Sequence, residues 1–355
     1  MSVSAVDAIT PALEHTKRQL FTPFRIGQWT KLAFVGLLAG ELGSSGFNRS
    51  NFQLPRHPGG APPHIELPGS LGADVALLIA LIAAVAVAAL AIGIILTYVG
   101  SVMRFVLFDS IVTRECHIRW SWNRRLGPGW RYFVWKLLYF VLGAVGIGVL
   151  AGIPLAYGFA KGWLRDPKLH VPELVLSGLF VFLVLAVFGI TTAVILVLTK
   201  DFVIPQMALE DVDVMEGWQR LWAMMKIEKG AYVAYIAMKI VLAIVAGILV
   251  SVAALVVGLV FVIPTAALGV LAIVTGKSAG LTWNAHTITL AVVVGCILLG
   301  IFLYLVSLVS VPVIVFFPAY SIYFFAARYP RLSAVLNAAW SPAGQVPAGA
   351  AQRSP

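Results

Sequence analysis

The sequence predicts an all-α integral membrane protein with about six transmembrane helices in three hairpin units, each preceded by a cytoplasmic interfacial segment. The first observation is composition, since 60% of the 355 residues are hydrophobic and only 11% are charged, against about 25% charged residues in soluble domains. The second is a series of apolar runs near or above the ~20 residues that cross the hydrocarbon core. The third is a recurring span start, in which a lysine precedes an apolar run: Lys31, Lys136 and Lys239.

The three predicted units each contain an interfacial segment followed by two spans. Because every unit adds two spans, all three insert in the same orientation, unlike the inverted repeats of many secondary transporters. Residues 330–355 are rich in Ala, Pro and Ser and are predicted to be disordered. The units, with their spans, are residues 1–103 (about 28–47 and 73–102), 104–199 (about 132–157 and 174–198) and 200–329 (about 231–262 and 287–317).

Two of the interfacial segments are predicted to be amphipathic helices. The first covers residues 5–21 and is expected to lie on the membrane surface. The second begins at Asp213, which has the spacing of a capping box with Glu216. The apolar stripes that define these helices are Val6, Ile9, Leu13 and Leu20 in the first, and Val214, Met215, Trp218, Leu221, Trp222 and Met225 in the second.

Glycine and proline predict where helices turn or end. Gly127-Pro128-Gly129 predicts a turn before the third span. Pro264 is expected to end the fifth span, which leaves residues 265–276 either as a re-entrant turn or as a continuation of the helix above the bilayer. Pro312 and Pro318 are expected to kink the end of the sixth span.

The charge distribution predicts that both termini face the cytoplasm. The net charge is +10, from 25 Lys and Arg against 15 Asp and Glu. If the termini, residues 104–136 and residues 200–239 are cytoplasmic, that side holds nineteen of the 25 basic residues, as the positive-inside rule expects. Attraction to anionic lipid accounts for the same excess, so nucleic-acid binding is not expected. The basic residues on the other side are Arg49, Arg56, Lys161, Arg165, Lys168 and Lys277.

The candidate contacts with lipid or a partner protein are basic and tryptophan residues of this interface. Each repeated lysine lies close to a span end, where its side chain reaches the headgroups. A specific intramembrane site is the less favoured alternative, for which Lys239, the deepest, is the best candidate. Asp109 and Asp201 are expected to act as helix-end or arginine partners. The candidates are Lys31, Lys136, Lys239, Arg119, Arg124, Arg125, Trp218 and Trp222.

No catalytic residue, metal site or cofactor is predicted. The deep membrane portions lack paired carboxylates and any His/Asp/Glu chain for proton relay. No zinc-protease, phosphate-loop or nucleophile-elbow motif occurs. Cys116 falls in an interfacial segment and Cys296 in a span, so neither a disulfide nor a thiolate metal site is expected. These absences disfavour an enzyme.

The N-terminal run that includes Leu20-Phe21-Thr22-Pro23-Phe24-Arg25 and Trp29-Thr30-Lys31-Leu32-Ala33 resembles uncharacterised multi-pass proteins of bacteria and archaea. These are similar to the membrane domain attached to some glycerophosphodiester phosphodiesterases. The resemblance covers residues 1–330 and implies a prokaryotic cytoplasmic-membrane protein of six or more helices. The chain has no catalytic barrel and none of its acidic metal ligands, so the hydrolase activity and its residues are not carried over.

The leading hypothesis is therefore a non-catalytic membrane scaffold or accessory subunit whose basic, tryptophan-rich segments contact anionic headgroups. A membrane-protein partner or an oligomer is left open. The alternative is a transporter or channel for a small or amphipathic solute, with a water-filled cavity that reaches Lys239. A third hypothesis, an intramembrane lipid-modifying enzyme, would need a polar cluster at the level of Asp109 and Asp201.

Overall fold

The computed structural model describes residues 4–41, 71–163, 169–278 and 285–340, and within these ranges the chain is helical, without a strand. The end of the predicted first span, residues 42–47, and the last part of the predicted tail, residues 341–355, lie outside them. The helices are α1 (Ile9–Phe21), α2 (Ile26–Leu38), α3 (Leu71–Thr113), α4 (Ile118–Ala160), α5 (Val171–Leu198), α6 (Ile204–Glu210), α7 (Val214–Ile227), α8 (Lys229–Ser278), α9 (Ala285–Val309), α10 (Val311–Ala326) and α11 (Pro330–Trp340), with a π-helical turn at Thr199–Val203.

Five helical stretches of the described chain are long and apolar enough to cross a membrane, which supports a multi-pass helical membrane protein. A sixth span is not confirmed. The 13 residues of α2 are only about 20 Å long, against the ~30 Å of the hydrocarbon core. α2 contacts α3, α4 contacts α5, and α8 contacts α9, while the division into three hairpin units stays a prediction.

One apolar core lies where the helix ends meet. It contains α1, α2, the last turns of α3, the first turns of α4 and α8, the π turn with α6, and parts of α7, α10 and α11. Phe105, Phe202 and Phe317 belong to three similar sequence segments at the ends of the second, fourth and sixth predicted spans. All three are buried, and Phe105 and Phe202 belong to this core. Tyr235 stacks on Tyr320 with ring centroids 5.2 Å apart, one of several aromatic contacts that stabilise the core beyond their buried area.

Beyond this core the helices extend as arms with apolar, exposed surfaces. None of the residues in the most apolar 18-residue stretch of α3 or of α4 is buried, and the corresponding stretch of α8 is 17% buried. So much apolar surface is stable only when lipid or another protein covers it. The arms therefore define the membrane region, and the core defines the place where functional polar groups can be held in position.

The structure contradicts the predicted turn at Gly127-Pro128-Gly129, because α4 continues through these residues as one helix. The glycine serves helix packing instead. A Cβ on Gly129 would lie 2.7 Å from Cγ2 and 3.2 Å from Cα of Val102, so α4 approaches α3 closely at this point. The side of α4 that carries Gly127 is open, with nothing within 4 Å of a Cβ placed there.

The different surroundings of Gly127 and Gly129 predict that alanine at these two positions changes the free energy of unfolding in opposite directions. We expect Gly129→Ala to lower the free energy of unfolding by about 1–3 kcal/mol, because the added methyl group forces α3 and α4 apart. We expect Gly127→Ala, two residues away, to raise it by up to about 1 kcal/mol, because alanine favours the helix more than glycine. Denaturant unfolding of both variants in the same detergent measures the difference, and effects of equal sign would contradict the packing role of Gly129.

The prolines of the fifth and sixth predicted spans differ in their outcome. α8 continues through Pro264 to Ser278, so the prediction that Pro264 ends the span is wrong and the alternative of a continuing helix is confirmed. Proline is tolerated inside membrane helices where nearby groups, such as Ser and Thr hydroxyls, satisfy the freed backbone, and the Thr265 hydroxyl donates to the carbonyl of Phe261 here. Ser310 separates α9 from α10 just before Pro312, which confirms an interruption there. Part of the predicted disordered tail is also ordered, since α11 buries Leu332 and Leu336.

Helices form at both positions that were predicted to be amphipathic, α1 and α7, and the apolar stripe of each divides between the core and the outside. Val6, just before α1, and Leu13 within it are exposed. The buried side of α1 consists of Ala12, His15, Thr16, Gln19 and Leu20. The Gln19 amide donates to the carbonyl of Ser110, which explains why a polar residue is buried there. In α7, Asp213 is the N-cap residue without a side-chain cap, because its carboxylate accepts from Arg131 instead. The predicted stripe divides, with Val214 and Leu221 buried and Met215 and Trp222 exposed.

Candidate functional site

The most unusual feature of the core is a group of five charged side chains at the ends of the apolar arms. Glu41 follows α2, Arg104 lies on α3, Lys200 and Asp201 lie on the π turn, and Lys239 lies on α8. Because charged side chains are rarely buried without partners, their mutual arrangement decides what this group, here called the charged cluster, can do.

Glu41 is the centre of the charged cluster. Its side chain is 1% exposed, and its two carboxylate oxygens accept separately from Arg104 and from Lys200. The Arg104 guanidinium also donates to the carbonyl of Ala39, one of the carbonyls that the end of α2 leaves without a helical partner. One carboxylate therefore holds α2, α3 and the π turn together.

Asp201 forms the second half of the charged cluster. Its carboxylate pairs with the ammonium of Lys239 and accepts a hydrogen bond of 2.9 Å from the hydroxyl of Tyr235. The ammonium also lies 5.8 Å from the ring of Tyr235 and 6.0 Å from that of Phe317, distances that suit cation–π attraction. Lys239 thus connects α8 to the π turn and to α10.

The π turn gives the charged cluster its geometry. A π-helical turn widens a helix locally, and such turns occur often at functional sites. Here it is held from outside by Trp218, whose indole N–H donates to the Thr199 hydroxyl over 3.0 Å. A cavity of about 20 Å³ borders Glu41, Arg104, Lys200 and Asp201. This volume has room for one water molecule rather than for a solute.

A separate buried ion pair joins α3 to α4. Arg125 donates from Nε and Nη2 to the two carboxylate oxygens of Asp109, over 2.9 and 2.6 Å. Its Nη1 donates to the carbonyl of Ala208 over 2.6 Å. The expectation that Asp109 is an arginine partner is confirmed. Arg125, in contrast, was predicted to contact lipid or a partner, and its buried guanidinium leaves no exposed group for that contact.

The three repeated lysines occupy three different environments. Lys31 is exposed beside Arg25 and Cys116. Lys136 is half-buried, with its ammonium 5.9 Å from the ring of Phe140. Lys239 is paired with Asp201 in the charged cluster. The structure therefore brings only one of the three into the cluster, and their similar sequences do not give them equivalent roles.

The remaining predicted contact residues lie on the outside of the core, with one exception. Arg119 and Arg124 are exposed near the start of α4, and the Arg124 guanidinium lies 5.2 Å from the ring of Trp120. Trp222 is 55% exposed on α7. Trp218 is the exception, because its indole is half-buried and bonded to Thr199. Arg119, Arg124 and Trp222 consequently remain candidates for contact with lipid or a partner.

Sequence reasoning missed the central part of the charged cluster, namely Glu41, Arg104 and Lys200. Two signals pointed to it. Arg104-Phe105-Val106 and Lys200-Asp201-Phe202-Val203 are similar segments, each with a basic residue where an apolar helix passes into the core. Glu41 is a lone acid after an apolar run, which requires a cation if the residue is buried.

The chemistry of these groups is that of a structural connection. Each carboxylate of the charged cluster faces at least one cation, and three cations against two acids leave one excess positive charge. Among the described residues, no group of three or more His, Cys, Asp or Glu side chains could hold a metal ion.

Comparison with known proteins gives a family but no activity. A model of a family of unknown function (DUF7544) matches residues 3–335 of the chain. No curated protein and no solved structure matches the chain, and a similarity to glycerophosphodiester phosphodiesterases is not found.

Proposed function

The chain belongs to DUF7544, a family of unknown function, and we propose that it is a non-catalytic membrane scaffold or accessory subunit that contacts anionic lipid headgroups. The proposal places it in a prokaryotic cytoplasmic membrane with both termini in the cytoplasm, as the distribution of Lys and Arg favours. The same exposed residues could instead contact a partner protein in the membrane.

The observation that carries this proposal is the contrast between neighbouring arginines at the start of α4. Arg125 is buried and forms an ion pair with Asp109. Arg119 and Arg124 are exposed, and Arg124 lies over the exposed ring of Trp120. Cations next to tryptophan are typical of the headgroup level, where indole rings concentrate and anionic lipid attracts each basic residue.

α7 presents a second exposed side that fits the same proposal. Trp222 and Met215 point away from the core, and Lys226 and Ile227 are exposed at the end of the same helix. An exposed apolar side with lysine beside it is typical of helices that lie at a membrane interface.

We expect Arg119→Glu combined with Arg124→Glu to reduce the retention of phosphatidylglycerol about tenfold or more, since each basic residue near an anionic surface contributes about 1 kcal/mol. Mass spectrometry of lipids that co-purify with the full chain in a mild detergent measures the retention. The matched control is Lys161→Glu, an exposed cation at the other end of α4 whose ammonium lies 5.7 Å from the ring of Tyr157.

The control variant lies about 55 Å from Arg124 along the helix, on the face that the charge distribution predicts to be outside the cytoplasm. We expect it to leave lipid retention unchanged. If the double variant retains as much phosphatidylglycerol as the unmodified chain, the lipid contact is refuted. If both variants lose lipid equally, the contact is a general effect of charge and not a property of this surface.

The second candidate is a transporter or channel for a small or amphipathic solute. The observation in its favour is the charged cluster itself, since ionisable groups at the ends of spans often mark a solute path. The cavity of about 20 Å³ is too small for such a solute, so transport would require the Lys239–Asp201 pair to separate. Cysteine probes near residue 239 and at Cys296 test this, and labelling from neither side of the membrane would exclude a water-filled path.

A further inference from the structure

A second cavity lies where the start of α2 meets the start of α4, away from the charged cluster. Its volume is about 280 Å³, and its lining includes Arg25, Gly27 and Lys31 from α2 and its N-cap, and Glu115, Cys116 and His117 from the segment before α4. Pockets that take small ligands begin at about 300 Å³, so this one suits a compact polar group.

The charges in this cavity favour an anion. Arg25 and Lys31 are both exposed and both line it, and the imidazole of His117 lines it as well. Glu115 opposes them from the rim, where its carboxylate lies 3.7 Å from Nε2 of His117 and both side chains are about two-thirds exposed. Burial raises the pKa of the Cys116 thiol, so this side chain stays neutral and adds no negative charge.

The backbone supports the same preference. Arg25 is the N-cap of α2 and His117 is the N-cap of α4, and neither helix start has a side-chain cap. Two helix starts therefore present first-turn N–H groups and the positive ends of their dipoles near one cavity. A Cβ on Gly27 would have nothing within 4 Å, which leaves space for a ligand to approach the backbone. This combination of cations and helix starts is suited to phosphate.

We propose that this cavity binds a phosphate group, and that its source is the headgroup of an anionic phospholipid. The lipid source rests on the proposed function, because it requires the cavity to lie at the membrane surface. The hydroxyls of Thr30, beside Lys31, and of Tyr304 on the apolar helix α9 lie 2.8 Å apart. Phe24 and Ile26, on either side of Arg25, are 58% and 66% exposed. Cations for the headgroup and apolar side chains for the acyl chains are thus adjacent.

The test is a titration of the full chain in detergent with short-chain phosphatidic acid in one arm and inorganic phosphate in the other, followed by native mass spectrometry. We expect Arg25→Gln and Lys31→Gln to weaken binding of phosphatidic acid about tenfold each, as expected for the loss of a charged hydrogen-bond donor. We expect Glu115→Gln to strengthen it, because the opposing carboxylate is removed. Lys17→Gln, an exposed cation on α1, is the matched control and should have no effect.

Tighter binding of phosphatidic acid than of inorganic phosphate supports the lipid source, and equal binding supports the phosphate site but overturns that source. Equal affinities of the Lys31→Gln, Arg25→Gln and unmodified chains, at unchanged melting temperature, overturn the site. The Arg119→Glu, Arg124→Glu double variant separates the two proposals. If it loses lipid while the cavity variants do not, only the cavity site fails, and the reverse result removes only the broader surface.

Discussion

Replacing Glu41 by glutamine is expected to lower the free energy of unfolding by about 3–5 kcal/mol, the range for removing one partner of a buried ion pair. The physical reason is that Arg104 and Lys200 both direct their charges at this one carboxylate, whose side chain is 1% exposed. The neutral amide has almost the same shape but leaves two cations without a counter-charge. Denaturant unfolding in detergent, followed by tryptophan fluorescence, measures the loss.

The control for this prediction is Glu115→Gln, since Glu115 is exposed and its carboxylate lies 3.7 Å from Nε2 of His117, which is also exposed. We expect an effect of less than about 1 kcal/mol there. A double-mutant cycle sharpens the result, because Glu41→Gln combined with Lys200→Met should lose less than the sum of the single variants. Additive losses would show that the two side chains do not interact in solution.

The second large effect is expected at Asp109, where the asparagine variant should also lose about 3–5 kcal/mol. The pair of Asp109 and Arg125 is bidentate and about nine-tenths buried on both sides. The control is the pair of Arg131 and Asp211, whose side chains are 36% and 71% exposed. Arg131 lies on α4, as Arg125 does.

Because solvent screens the exposed pair, Asp211→Asn should lose less than about 1 kcal/mol. Both variants remove one carboxylate charge from an arginine, but Arg131 keeps Asp213 as a second partner, so the difference between the variants reports burial together with this remaining pair. Unfolding midpoints of the two variants, taken in one detergent and at one salt concentration, provide the comparison. Equal losses would mean that the position of Asp109 in the core has no energetic consequence.

Span length and apolar composition made parts of the fold predictable from the sequence. The predicted fourth span, residues 174–198, agrees closely with α5, Val171–Leu198, and the interruption before Pro312 is present. The failures at Pro128 and Pro264 have different reasons. Pro128 is buried in the core, where α4 packs closely on α3 at Gly129. Pro264 lies in an apolar arm, where a helix end would leave backbone groups without partners, so the helix continues.

The candidate site was less predictable because its contacts join distant parts of the chain. Glu41 pairs with Arg104, 63 positions away in the sequence, and with Lys200, 159 positions away. The hydrophobic periodicity of a single segment does not predict pairs so far apart. Local reasoning did anticipate that Asp109 finds an arginine, which is only 16 positions away. It also treated Lys31, Lys136 and Lys239 alike, although their surroundings, and not their own segments, decide whether each ammonium is exposed or paired.

The packing of the first helix on the last span has a consequence for biosynthesis. The hydroxyl of Tyr320 donates to the carbonyl of Ala5, 315 positions away, and the ring of Tyr323 contacts His15 edge-on. A ribosome needs on the order of 15–60 s to make the intervening chain. During that time α1 has left the ribosome while α10 does not yet exist. We infer that the arms enter the membrane first and that the core closes only after α10 has been made.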